Sequence, residues 1–160
     1  MPGVPRRLAV LRNLQTTLRG MTGAEYNYPL ANPVAQVKMD PTINLLTGVG
    51  VPDVPFYNVE PTPDGGRTFW PEEQLTEEFI VNILGRHDAD ISVSPEIKTE
   101  TWERMAADLE LALETDTTRA GLAADTRLLV PQPFTAVGTG VVILVQPVRI
   151  TIYRAYKDGT

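Results

Sequence analysis

The side chains best equipped for chemistry in this chain stand in one short run, Arg86-His87-Asp88-Ala89-Asp90, and His87 is its single histidine. A histidine beside carboxylates suits an oriented general base or half of a metal site. The partners that either role needs are missing. There is no second histidine, no cysteine, and no H-E-x-x-H or comparable ligand spacing. Asp88, Asp90 and the pairs Glu72-Glu73 and Glu77-Glu78 have the chemistry to flank a divalent ion, which would make a small metal-dependent hydrolase. Asp88-Ala89-Asp90 nevertheless lacks the ligand density of a calcium loop. The carboxylates read more simply as solvated charge, and His87 as a solvated residue closing a strand. Gly48-x-Gly50 and Gly138-x-Gly140 complete neither a dinucleotide fingerprint nor a P-loop, and no G-x-S-x-G exists. The expectation is a non-enzymatic protein with no catalytic residues, no metal and no cofactor.

A second group of residues suits contact better than catalysis. Pro61-Thr62-Pro63-Asp64-Gly65-Gly66 is a turn cluster. Together with the residues up to Thr76, it makes 60–76 read as one long loop. Arg67, Phe69 and Trp70 lie in it, and Trp and Arg are over-represented at interface hot spots. Trp70 reads equally well as a plug at the edge of the core. The third feature is the run from Gly140 to Tyr153. Its first half is continuously apolar, whereas its second alternates Val148, Ile150, Ile152 with Arg149, Thr151, Tyr153. Period two marks a strand with one buried face. Pro147 interrupts it, and a proline cannot donate to a ladder, so a bulge or an edge is expected there. Residues 131–147 thus read as an extended hairpin region reaching beyond the core, with Val141, Ile143 and Val145 as candidate contacts to a neighbour.

The elements that would position these residues are set by periodicity. Val4, Leu8, Leu11, Leu14 and Leu18 make an apolar stripe on a helix over about residues 5–19. Glu25–Tyr28, Val34–Met39 and Val54–Val59 read as strands, and Phe79–Leu84 as a buried one. A second helix runs to about Glu114 with Trp102, Met105, Ala106, Leu109, Ala112 and Leu113 inside, and Glu100, Glu103, Arg104, Asp108 and Glu110 outside. Thr126–Val130 is a strand that Pro131 and Pro133 bend or end, and with the long strand from Gly140 it makes the final hairpin. The order predicts an α+β fold: an antiparallel sheet of about four main strands with two helices packed on one face, plus an extended hairpin and long loops.

Composition sets outer bounds. A chain of 160 residues, 42% of them apolar, is read as a single domain over 1–160 with a real core. Its net charge of −6 argues against neutralising a phosphate backbone. The longest apolar run, Val141–Val145, is far short of a membrane span, and Arg12 interrupts the apolar stretch after Arg6 and Arg7 too soon for a signal-peptide core. The absence of cysteine fits a reducing compartment.

Taken together, several stretches resemble the tail terminator proteins of long-tailed bacteriophages, also called minor tail or tail-completion proteins. They are the leucine-striped first helix, Phe56-Tyr57-Asn58-Val59-Glu60, Phe79–Gly85, the helix Trp102–Leu113, the loop Thr117–Leu122, and a hairpin of Leu128-Leu129-Val130 with Val148–Tyr153. The segment Thr42–Pro55 and the proline-rich hairpin tip depart from that pattern. The resemblance implies a structural virion protein at the head-proximal end of the tail, assembled in the host cytoplasm. Its subunits would form a ring, commonly a hexamer, that stops tube polymerisation and offers a joining surface to the head connector. The partners implied are further copies of the chain, the tail tube protein and the connector or neck protein. Genome DNA would pass through the lumen without specific binding, which an acidic chain favours. A neck or head-completion adaptor of the same particle is the alternative within this class.

Overall fold

The computed structural model describes residues 5–69 and 74–155, with the side chains of 63–69, 74–75 and 153–155 left outside the description. Among the described residues, three helices and six strands succeed one another as α1 (Arg6–Arg19), α2 (Pro33–Gln36), β1 (Val37–Lys38), β2 (Phe56–Phe69), β3 (Gln74–Asp88), α3 (Ile97–Glu114), β4 (Asp125–Leu128), β5 (Gln132–Thr135) and β6 (Val141–Ala155). The fold is mixed α and β. The strands make one six-stranded sheet in the order β1-β2-β3-β6-β4, with β5 also on β6, and of these pairings the short β1–β2 one is parallel while the rest are antiparallel.

Two helices form where the leucine stripe and the Met105–Leu113 stripe were expected, because periodicity of 3.6 over so many residues leaves one side dry. Val10, Leu11, Leu14 and Leu18 of α1 and Met105, Leu109, Ala112 and Leu113 of α3 are buried. They share a core with Tyr57, Val59, Phe79, Val81, Ile83, Val142, Leu144, Val148, Ile150 and Ile152. The register of the ladders places all these strand residues on the same side of the sheet: Val59 faces Ile83, Val81 faces Val148, Phe79 faces Ile150. Gly85 lies on that side too. A Cβ there would come 2.8 Å from Met105 Cε and 3.0 Å from the Tyr57 ring, so only glycine lets α3 approach this closely.

Several expected elements come out differently. Residues 60–69 and 74–76 are not a loop but the paired arms of β2 and β3. The prolines and glycines that suggested a loop are absorbed by an irregularity between Pro61 and Gly65, where Thr62 Oγ1 donates to Ile80 O at 2.9 Å. Val34–Met39 divides into α2 and β1, since Pro33 opens a helical turn and the Gln36 side chain is held by Asn32 N and Pro55 O. No strand forms at Glu25–Tyr28.

The largest change concerns the closing hairpin. Residues 141–146 do not project past the core; β6 pairs with β3 along its whole length, and Val142 and Leu144 are fully buried. Pro147 neither ends the strand nor lies at a sheet edge. Its carbonyl accepts from Leu129 N at 2.9 Å, so the side of the residue that lacks an N–H faces the gap between β4 and β5. The buried Gln146 amide fills that gap, donating to Leu129 O at 2.7 Å and Pro147 O at 3.0 Å. A side chain thus satisfies carbonyls that a continuous strand would otherwise have paired.

Candidate interaction surfaces

The acid–base candidates are dispersed by the fold. His87 is part of β3, half-buried on the helix side, not a solvated residue beyond a strand. Its ring meets Tyr28 edge-on, with centroids 4.5 Å apart. Burial pulls its pKa below the ordinary imidazole value, with Asp88 opposing. Asp88, the next residue along the strand, points to the other face and pairs with Arg86 at 3.4 Å. Asp90 accepts from Ser92 N and Oγ, which holds its carboxyl below the usual range. Among the described residues no three His, Cys, Asp or Glu side chains gather as a metal site would require. Glu72 and Glu73 lie outside the described residues, and Glu77 is buried 3.8 Å from Arg7, whose guanidinium lies over the Phe79 ring.

Besides Glu77, sequence reasoning missed Asp108 and Arg119 as buried charges. Asp108, expected on the outer face of its helix, is 2% exposed and accepts from Asn27 N, Asn27 Nδ2 and Tyr28 N at 2.8–3.0 Å. Arg119 is fully buried, with a left-handed backbone (φ 50°), and donates to Leu113 O at the end of α3 and to Thr17 Oγ1. A cation at a helix C-terminus complements the dipole there. Burial lowers its pKa while Asp116 opposes the change. Both charges hold loops to helices.

The contact candidates fare differently. Arg67 and Phe69 are strand residues opposite Glu77 and Leu75, their side chains beyond the description, and Trp70 lies outside the described residues altogether. Val141, Ile143 and Val145 are brought together. They alternate with the buried Val142 and Leu144, so they line the sheet face turned away from α1 and α3, where they are half-buried. Part of this face is covered by the 42–55 loop, which Arg86 pins by donating to Leu45 O at 2.7 Å. The rest is open. Phe134, beside Ile143 in the ladder and 55% exposed, joins Leu46, Ala136, Val141 and Ile143 around a groove of about 310 Å³.

This strip runs on to the sheet edge formed by β5, every residue of which is exposed. Val130 and Val137 flank it, 78% and 101% exposed. From Leu128 to Val148 the chain carries no charged residue at all. That charge-free stretch is the signal from which the surface was legible. At the opposite end of the sheet β1 covers β2 only at Tyr57 and Asn58. Where β1 stops, a notch of about 430 Å³ opens, lined by Leu8, Leu11, Met39, Pro41, Val59 and Pro61, with Glu60 at its rim.

No helix of the described residues is long and apolar enough to cross a membrane. Compared with protein-family models and with curated proteins, the chain matches none.

Proposed function

We propose that this chain is a structural ring subunit at the head-proximal end of a phage tail tube, where the ring stops polymerisation of the tube and presents the joining surface for the head connector. The observation that carries the assembling role is the apolar surface on β5 and β6: Val130, Phe134 and Val137 exposed beside half-buried Val141, Ile143 and Val145. An uncharged sheet edge of this kind is an aggregation liability in a monomer and is relieved by a partner. The placement at the tail rests on the resemblance of the helix, strand and hairpin sequences. No catalytic step is assigned, since His87, Asp88 and Asp90 are each engaged separately.

The test is the oligomeric state of the purified chain by light scattering and negative-stain microscopy, alone and with the tail tube protein. Closed rings of fixed stoichiometry that cap tube ends and shorten tube polymers are the expected result. A strictly monomeric chain even with tube protein present would overturn the reading. Cross-linking within the assembled particle separates it from a neck adaptor, because a terminator touches the tube protein and an adaptor the portal side.

A further inference from the structure

We infer that the charge-free β5 edge of one copy docks in the α1–β2 notch of the next, so that each interface joins opposite ends of the sheet. The pairing deepens the ring reading and rests on it.

The two surfaces match in apolar character. The donor side offers Val130, Phe134 and Val137, all more than half exposed, and the acceptor notch is walled by Leu8, Leu11, Met39, Val59 and two prolines. Their flanking charges are opposite. Lys98 Nζ donates to Ala136 O at 2.6 Å, and Ala89 N donates to Gly140 O at 2.7 Å, which fixes the start of α3 and the 88–96 turn beside the β5 edge. Those segments contribute exposed Asp90, Glu96 and Glu100, while Asp88 is already paired with Arg86. The notch is walled by α1, which carries Arg6, Arg7, Arg12 and Arg19 and no acid; Arg7 faces Glu77 and Arg19 donates to Val37 O, so Arg12 is the cation offered to a neighbour. Arg12 is exposed, one residue beyond Leu11. Glu60 opposes these cations at the rim, and its carboxylate accepts from Asn58 Nδ2 at 3.0 Å. An apolar centre ringed by complementary charge is the usual anatomy of a specific interface.

Position decides the symmetry. β5 pairs with β6 on the side away from β3, and the notch lies beside β2 where β1 stops, so the two surfaces belong to opposite edges of the sheet. Joining unlike surfaces is heterologous, and the contact repeats from copy to copy until the rotation closes. A two-fold dimer would instead bring β5 to β5.

The chain has no cysteine, so single thiols report contacts without background. Two variants are made, Val137→Cys and Pro41→Cys, both at exposed sites, and mixed under mild oxidation. The expected result is a disulfide-linked pair in the mixture and none from either variant alone. In parallel, Arg12→Glu reduces the assembled fraction at least tenfold at fixed concentration, and adding Glu100→Arg restores it, with melting temperature unchanged throughout. If the unmodified chain forms rings but the mixed thiols do not link, or Val137→Cys links to itself as readily, the docking is wrong and the ring reading stands. If the unmodified chain never assembles, both fall together.

Discussion

Asp108 is a carboxylate taken out of water to organise a loop, and its loss has a calculable effect. Three donors from Asn27 and Tyr28 converge on its two oxygens. Hydrogen bonds to a charged group contribute about 1.5–3 kcal/mol each, without simple additivity. Asp108→Ala is therefore expected to lower unfolding free energy by about 2–4 kcal/mol, and Asp108→Asn by less, measured by urea denaturation. His87 makes a second test at this scale. Its folded pKa is depressed, so the unfolded chain takes up the proton first as pH falls through its ordinary value near 6.5. Stability is then fully present above about pH 6.5 and declines below it. His87→Phe should flatten that part of the stability–pH curve while leaving the acid-side loss from carboxylates in place. A profile unchanged by the substitution would mean that His87 is solvated in both states.

At the scale of elements, β6 decides the architecture and Gly85 decides how α3 meets it. Gly85→Ala places a methyl against Met105 Cε and the Tyr57 ring, and overpacking of this kind costs about 1–3 kcal/mol. Thermal melting should show the drop, and pairing the change with Met105→Ala should recover part of it. Gln146 tests the junction of β4 and β5. Removing its amide takes away the donor to Leu129 O and leaves Pro147 O with Leu129 N alone, so Gln146→Leu is expected to cost about 1–3 kcal/mol and to raise amide exchange at Leu129. An exchange rate unmoved at Leu129 would show that the junction does not depend on the side chain.

Across the whole molecule, the sheet presents one face to the helices and leaves the other partly open. The helix-side face is closed by packing of α1 and α3. The far face is covered by the 42–55 loop near Phe56, which is fully buried, but is bare around Ile143 and Phe134. Leu46 is 64% exposed at the rim of that groove. Leu46→Glu should change stability by no more than about 0.5 kcal/mol, as exposed substitutions usually do. If the open face takes part in assembly, the same change lowers the assembled fraction read by light scattering. Loss of stability without loss of assembly would instead assign Leu46 to the loop's own packing.

What was legible in the chain was whatever repeats. The stripes of α1 and α3 and the alternation of Val148, Ile150 and Ile152 state their buried faces directly, because period and burial are locked together in helices and strands. Asp108 was misplaced by the same rule, since a charge in a helix is read as solvated until a partner distant in sequence is known. The loop expected at 60–76 failed for a related reason: Pro61, Pro63 and Gly65-Gly66 are breakers by local preference, and only pairing of Pro61 and of Gly65-Gly66 with β3, with Pro63 inside the irregularity between them, keeps the strand going. Pro147 is the sharpest case. Its own chemistry excludes a continuous ladder on one side. Only the tertiary arrangement, which breaks the neighbouring strand at residues 129–131 and supplies Gln146, let the proline sit inside the long β3–β6 ladder. The composition of the stretch from Leu128 to Val148 determined that this region carries no charge. Which of its residues face the core and which face away from it was decided by β3, whose register sends Val142 and Leu144 inward and leaves Val141, Ile143 and Val145 on the other side.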